Sequence, residues 1–279
     1  MMGEINVNAT KKLSSKEKKR TIIMLSAKRC GSTAVFRMFQ KHSDVGVCHI
    51  DQLIENWEPR FWDLAGRALK GDKTPFISRL KKSHPYLKIP ATFSETEVFQ
   101  LWDSILERLG PIVFDKSPQY LGNRTALELI YKYKELGNDV RIFAFIRDPR
   151  DAITSQYILF GKDSPKKREA RWLEKYGHLE ELEQRYETIP LFRYEDFSQS
   201  PSLYAPMIFK LCGLSDYPHS YDHIRPINIG RYSISDNPKI RKWKMSEEFI
   251  EHLKKHGYSI PQEQKIKNLK TSNFYIKKS

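Results

Sequence analysis

The strongest constraint on the fold is a set of five short apolar runs, separated from one another by segments with helical patterns. The runs cover residues 21–25, 45–48, 111–114, 140–146 and 189–192. Their apolar residues are continuous and do not alternate with polar ones, which indicates strands that are covered on both faces. Strands that alternate with helices predict a single α/β domain with a central, mostly parallel sheet of about five strands.

Helix signals fill most of the space between these runs. Ser94 and Glu97 form a capping-box pattern, and Asp148 followed by Pro149 is typical of a helix start. The predicted helices cover residues 32–41, 95–109, 123–136, 149–160, 166–187, 202–211 and 247–256. Periodicity is weak over residues 52–93, and we interpret 52–110 as an insertion that caps a binding site.

The charge of the chain narrows the class of ligand. The sequence has 279 residues and a net charge of +14, a surplus that attracts polyanions such as nucleic acid or phosphorylated small molecules. Part of the charge lies at the two ends of the chain. We therefore expect residues 1–20 to be a basic, flexible segment, 21–260 the folded domain, and 261–279 a basic tail.

Two further features bear on the cellular compartment. No apolar run reaches the roughly 20 residues of a membrane-spanning helix, and the Lys-rich stretch before Thr21 lacks the apolar core of a signal peptide. Cys30, Cys48 and Cys212 have no paired spacing, so we expect reduced thiols and no structural metal site. These features favour a cytoplasmic protein without a transmembrane segment.

The segment from Ser26 to Thr33 has the features of a phosphate-binding loop. An apolar strand leads into a turn with Gly31, and a helix follows that opens with Ser32 and Thr33. Such a turn directs backbone N–H groups and a helix N-terminus at one point. It lacks the Lys that follows the glycine in a Walker A loop, and the basic residues Lys28 and Arg29 precede the glycine instead. The alternative is an ordinary strand-to-helix turn.

A second cluster begins at Arg147, where the fourth apolar run meets a helix. A guanidinium at this strand end suits a direct, bidentate contact with a phosphate. Arg147 could instead pair structurally with Asp148, Asp151 or another carboxylate. Two anion-binding strand ends imply a ligand with phosphates at two separate points. 3′-Phosphoadenosine 5′-phosphosulfate (PAPS) is such a ligand, whereas the phosphates of ATP form one chain.

Taken together, these segments resemble the PAPS-dependent sulfotransferase superfamily, which has a P-loop-like α/β fold. KRCGST at 28–33 is similar to the family's 5′-phosphosulfate loop, and FIRDPRDAITSQY at 145–157 to its 3′-phosphate segment. LFRYEDF at 191–197 and FDKSPQY at 114–120 are further, weaker matches in the same order. Ala34, where cytosolic members often have Trp, places the chain nearer the bacterial, carbohydrate or tyrosyl-protein types.

The resemblance implies a role for each matching residue. Lys28, Arg29 and the following loop would hold the 5′-phosphosulfate, Arg147 and Ser155 the 3′-phosphate, and Tyr194 the adenine. Arg231 lies in a late loop that closes on the 3′-phosphate in relatives, and Arg241 and Lys242 compete for that role. The complete cofactor-binding set comprises Lys28, Arg29, Cys30, Gly31, Ser32, Thr33, Arg147, Ser155, Tyr194, Gly230 and Arg231.

The expected reaction moves a sulfuryl group from PAPS to a hydroxyl or amine, and leaves adenosine 3′,5′-bisphosphate without a metal. Arg29 and Lys116 are the candidates for stabilising charge in the transition state. The acceptor must also lose a proton, so a general base is required. We favour His49 as this base because its pKa lies near neutrality, with Asp51 second. Asp115 is a further candidate, although we expect it to pair with Lys116.

The sequence leaves the acceptor open among sugars, lipid head groups, peptide tyrosines, polyketide-type hydroxyls and amines. Trp57, Phe61 and Trp62 either line the acceptor pocket or belong to the core. Two rival functions remain: a kinase that uses ATP and magnesium, and a basic nucleic-acid-binding protein without enzymatic activity. No nucleic-acid-binding motif is visible, so we expect no nucleic-acid partner.

Overall fold

A computed structural model describes residues 19–47, 58, 60–227 and 229–260. Its centre is a five-stranded sheet with the order β2-β3-β1-β4-β5, and all neighbouring strands are parallel. This confirms the predicted α/β fold. The strands are β1 (Arg20–Ser26), β2 (Gly46–Val47), β3 (Ile112–Lys116), β4 (Asp139–Ile146) and β5 (Leu191–Arg193).

Alternating side chains of β1 explain why this strand lies at the centre of the sheet. Ile23 and Leu25 enter one core cluster, while Ile22 and Met24 enter a second cluster on the other face. All four side chains are buried. A strand that is apolar on both faces is stable only between two layers of helices. The register pairs Met24 with Lys116 of β3, so both strands end at the same edge of the sheet.

Each predicted helix is present, and the described residues form four further helices. They are α1 (Ser32–Lys41), α2 (Phe61–Leu69), α3 (Thr74–Ser83), α4 (Glu95–Leu109), α5 (Arg124–Glu135), α6 (Pro149–Phe160), α7 (Pro165–Arg185), α8 (Tyr194–Gln199), α9 (Pro201–Leu211), α10 (Pro238–Arg241) and α11 (Glu247–Lys255). The sequence did not predict α2, α3, α8 or α10. In the part of the chain that the structure describes, no helix is long and apolar enough to cross a membrane.

The described part of the region 52–110 is packed into the domain. Phe61 and Trp62 of α2 are buried, and their rings lie 5.1 Å apart between centroids. Trp102 of α4 lies 5.1 Å from Trp62 and donates its Nε1–H to Thr21 Oγ1 of β1, at 3.0 Å. Phe61 and Trp62 therefore belong to the core and do not line a pocket, while Trp57 lies outside the described residues.

Candidate active site

The loop between β1 and α1 has a backbone shape that requires glycine. Gly31 has φ +81° and occupies the N-cap position of α1 without a side-chain cap. The backbone N–H groups of Ser32 and Thr33 therefore lie at the positive end of the helix dipole, where anions are stabilised. The ring of Tyr194 packs directly over this glycine, and a Cβ on residue 31 would overlap its Cδ2.

Cys30 contributes to the loop through its backbone only. Its side chain is fully buried in the core, with Sγ 3.7 Å from the hydroxyl of Tyr176. Burial raises the pKa of the Cys30 thiol to about 12, so the thiol is uncharged at neutral pH.

Arg147 connects the loop to the end of β4. Its side chain is 5% exposed; one Nη donates to the carbonyl oxygen of Arg29 at 3.2 Å, and the other lies 3.5 Å from Asp151 Oδ2. The guanidinium also lies 5.3 Å from the ring of Tyr194. Arg147 therefore contacts both the carboxylate of Asp151 and the loop between β1 and α1. Asp148 pairs with Arg150 instead, at 2.6 Å.

Arg29 forms a second bond between the loop and the segment that begins at Arg147. Its Nε donates to Ser155 Oγ of α6 at 3.0 Å. Partial burial, followed by the nearby charges of Arg147 and Arg231, lowers the pKa of Arg29. An anion bound beside Arg29 would offset the repulsion that Arg29 experiences from these two neighbouring guanidinium groups. The two predicted anion-binding segments are thus directly bonded and form one continuous site.

Asp151 holds the late loop against α6. Its buried carboxylate accepts the backbone N–H of Gly230 at 2.6 Å and that of Tyr232 at 2.7 Å. These two bonds bring Arg231 close enough to Arg29 for their charges to interact. Arg241, by contrast, is exposed and bonded to Asp236 and to the backbone of Ser235. The contacts therefore favour Arg231 as the late basic residue that would reach the 3′-phosphate. The sequence analysis did not predict that Asp151 holds the late loop.

The end of β3 differs from the expectation. Lys116 Nζ lies 3.5 Å from Glu58 Oε1 and 5.7 Å from the ring centre of Phe36. Asp115 accepts a hydrogen bond from the hydroxyl of Tyr120 at 2.8 Å. The Asp115 carboxylate and the Lys116 ammonium group form no salt bridge among the described residues. Burial raises the pKa of Asp115 to about 7, although the backbone N–H and the charge of Lys116 both lower it.

The remaining predicted residues have varied positions. His49 and Asp51 lie outside the described residues. Lys28 points away from Gly31, with Nζ 5.9 Å from the ring centre of Phe160, while its carbonyl oxygen accepts from Gln156 Nε2 at 3.1 Å. Gln156 was not predicted, although it lies in the segment that carries the resemblance.

Within the described ranges, one group of side chains could hold a metal ion: Glu180, His252 and His256, at the contact between α7 and α11. Two of its three residues already bond to other groups. His252 Nε2 accepts from Trp172 Nε1 at 3.1 Å, and Glu180 accepts from Lys255 at 2.6 Å. None of these residues belongs to the loop or to the Arg147 segment.

The fold is that of an α/β protein, and its clustered arginines lie near the carboxyl ends of the parallel strands, where such proteins commonly bind ligands. A family model described as "Sulfotransferase family" matches residues 21–218, and the chain belongs to this family. Family membership supports sulfotransferase activity in general terms. Comparison with the sequences of curated proteins gives no significant match.

Solved structures share the fold at low sequence identity. The sulfotransferase domain of the Synechococcus PCC 7002 olefin synthase has a TM-score of 0.57 and 16% identity, over 88% of this chain and 98% of that domain. The sulfotransferase domain from the curacin biosynthetic pathway has a TM-score of 0.57 and 15% identity, over 88% and 100%. Sulfotransferase STF9 from Mycobacterium avium has a TM-score of 0.50 and 12% identity, over 87% and 78%.

Proposed function

We propose that this protein transfers a sulfuryl group from PAPS to a hydroxyl or amine of an acceptor. The observation that carries the proposal is the direct bonding of the two anion-binding segments. Arg147 donates to the backbone of Arg29, and the side chain of Arg29 donates to Ser155. One nucleotide with anionic groups at its 5′ and 3′ positions can therefore contact both segments.

Each end of the donor has a matching set of groups. In this proposal, the N–H groups and hydroxyls of Ser32 and Thr33 bind the 5′-phosphosulfate at the start of α1. Ser155, Arg147 and the Arg231 loop bind the 3′-phosphate, for which a planar guanidinium is well suited. Tyr194, packed against Gly31 and Arg147, supplies an aromatic edge for the adenine.

The chemical step is an in-line substitution at sulfur. The acceptor oxygen or nitrogen attacks the sulfur atom, and the bond between sulfur and the bridging oxygen breaks. The electron pair of that bond remains on the 5′-phosphate of adenosine 3′,5′-bisphosphate, while the acceptor proton passes to a general base. Arg29 and Lys116 stabilise the charge that builds on the leaving oxygen, as pre-oriented cations do in related transfers.

The base remains part of the proposal. His49 is our first candidate and Asp51 the second, on the sequence argument alone. Asp115 is the third, supported by its carboxyl pKa of about 7, which allows it to accept a proton near neutrality. A His49→Gln variant that keeps full turnover while Asp115→Asn loses it would transfer the role to Asp115.

We also propose a cellular compartment for the protein and a role for the region 52–110. The described cysteines Cys30 and Cys212 are free thiols, which supports a reducing compartment such as the cytoplasm. The region 52–110 remains our proposed cap over the acceptor, because Glu58 contacts Lys116 at the end of β3.

Calorimetry with adenosine 3′,5′-bisphosphate and with ATP–magnesium tests the donor. We expect the bisphosphate to bind without metal with a dissociation constant in the micromolar range, about −8 kcal/mol. Arg147→Lys keeps the positive charge but loses the bidentate geometry of the guanidinium, and Arg147→Ala loses both. The expected losses are about 1.5–3 kcal/mol for the alanine variant and less for the lysine variant.

The control is Arg141→Ala, on the same strand but exposed, which should leave the affinity unchanged. Tighter binding of ATP–magnesium than of the bisphosphate would refute the proposal and favour a kinase. Equal losses in the Arg141 and Arg147 variants would show that Arg147 does not contact the nucleotide.

A further inference from the structure

A cavity of about 400 Å³ lies beside the loop between β1 and α1, and residues of α6 and α7 line it. It is bounded by residues next to those proposed to bind the donor. Lys28 precedes Arg29 in the loop, and Gln156 follows Ser155 on α6. The far wall comes from α7 and from the turn after β3 that contains Gly122. The cavity therefore adjoins the loop and the helix that are proposed to bind the donor.

The cavity is strongly basic. Five cations line it against two carboxylates, Asp163 and Glu174. Asp163 pairs with Arg171 at 2.5 Å and with Lys167 at 3.1 Å, so it compensates one of the lining cations, and the lining keeps a surplus of three positive charges. The five cations are Lys28, Lys162, Arg168, Arg171 and Lys175.

Lys175 extends from α7 toward the floor of the cavity. Its Nζ donates to the carbonyl oxygen of Pro118 at 3.4 Å. Burial, followed by repulsion from Lys28, lowers the pKa of Lys175. A cation held in this way is stabilised by any anion that enters the cavity.

The rest of the lining suits an organic skeleton. Phe160 and Trp172 provide an apolar wall, and Phe160 is 53% exposed although its ring is large. Gln156 and Arg168 are linked by a hydrogen bond of 3.3 Å and offer polar groups along one side. An apolar wall with convergent cations is the pattern of a site that orients a small charged molecule.

We propose that this cavity binds the acceptor and that the acceptor carries an anionic group, a carboxylate, sulfate or phosphate, besides the hydroxyl or amine that is sulfurylated. This inference rests on the proposed function. Lys175 and Arg171 hold the anionic group, while the nucleophile points toward Arg29. The transfer has the same balance of bonds and protons as above, because the anionic group of the acceptor does not react.

The test measures binding of small probes to the protein saturated with adenosine 3′,5′-bisphosphate, so that the donor site is occupied. The anionic probes are 4-hydroxyphenylacetate, 4-hydroxyphenyl sulfate and 4-hydroxyphenyl phosphate, which distinguish the three kinds of anion. The neutral counterpart is 4-hydroxyphenylacetamide. We expect at least one anionic probe to bind about tenfold more tightly than the amide, as a charge-assisted hydrogen bond allows.

Variants assign the preference to the cavity. Lys175→Met and Arg171→Gln should each reduce the preference for the anion by about tenfold or abolish it. Lys210→Met is the matched control, because Lys210 is exposed on α9, whose buried residues belong to the second core cluster. It should leave the preference unchanged.

The outcomes separate the two proposals. Equal binding of anionic and neutral probes, or a preference that survives both Lys175→Met and Arg171→Gln, overturns the anionic acceptor while normal bisphosphate binding leaves the proposed function intact. Failure of the bisphosphate to bind the wild-type protein refutes the proposed function itself. Turnover of the preferred probe with PAPS, detected by mass spectrometry, would support both.

Discussion

Replacement of Gly31 by alanine tests whether the contact between the loop and Tyr194 shapes the site. Two costs follow from the geometry. A Cβ at φ +81° costs about 1–2 kcal/mol of backbone strain. The same Cβ would overlap Tyr194 Cδ2 and lie 3.0 Å from its Cγ, and such overpacking costs about 1–3 kcal/mol. The free energy of unfolding should therefore fall by about 2–5 kcal/mol.

Gly137→Ala is the matched control. Gly137 has φ +86°, but a Cβ there meets nothing within 4 Å, so only the strain of about 1–2 kcal/mol applies. The gain from a stiffer unfolded chain is common to both variants and cancels in the comparison. Urea denaturation of the two variants isolates the cost of displacing Tyr194.

A second background makes the test stricter. In a Tyr194→Ala protein the overlap is gone, and Gly31→Ala should cost no more than Gly137→Ala does in the wild-type protein. Bisphosphate affinity should fall for Gly31→Ala and stay unchanged for Gly137→Ala. If Gly31→Ala and Gly137→Ala destabilise the protein equally, or if Gly31→Ala costs the same with and without Tyr194, the packing argument is refuted.

Three further predictions address neighbouring features. Asp151→Asn can accept only one of the two N–H groups from the Gly230 loop, so calorimetry should show bisphosphate affinity reduced about tenfold; unchanged affinity would contradict the clamp. Because burial raises the thiol pKa of Cys30 to about 12, its peptide should resist iodoacetamide at pH 8 in the folded protein and react after unfolding, as followed by mass spectrometry; rapid labelling of the native state would disprove this. Burial lowers the pKa of His84 to about 4 and that of His252 to about 3, so the unfolded chain binds more protons below about pH 6.5. The free energy of unfolding should then fall as the pH drops from 6.5 to 4, by up to ~1.4 kcal/mol per pH unit for each histidine, and less steeply in His252→Gln; parallel pH profiles would exclude the contribution of His252.

The sequence predicts those helices whose ends carry local signals. The bounds of α1, α4 and α6 agree with the prediction to the residue, because Gly31, the Ser94 capping box and Pro149 define their starts. The central sheet was predictable for a similar reason, since continuous apolar runs are typical of strands between two helix layers.

Helices α2, in the insertion, and α8, after β5, could not be predicted in the same way. Helix α2 begins after Arg60, which has a left-handed backbone conformation and forms no side-chain cap, so the sequence has no local signal for its start. Helix α8 is only six residues long and follows β5 directly. Local propensity has little influence on such segments, and tertiary packing determines their conformation.

The candidate site could be predicted from the sequence only in part. The sequence identifies Arg29, Arg147 and Ser155 as candidates, but the bond between Arg29 and Ser155 joins residues 126 positions apart. That contact exists because β1 and β4 are neighbours in the sheet, and strand order is not encoded in either segment alone. The basic cavity has the same origin, since Lys28 and Lys175 meet only after α7 has packed against the loop after β3.

This arrangement has a consequence for how the site responds to ligands. Because Arg147 touches both the carbonyl of Arg29 and the carboxylate of Asp151, and Asp151 holds the Gly230 loop, the three segments share one network of charges. Partial burial, followed by the charges of Arg147 and Arg231, lowers the pKa of Arg29, and an anion bound at any of these segments would reduce that repulsion. Because both anionic ends of the nucleotide interact with the same three cations, the contribution of each end to the affinity should be smaller when the other end is already bound.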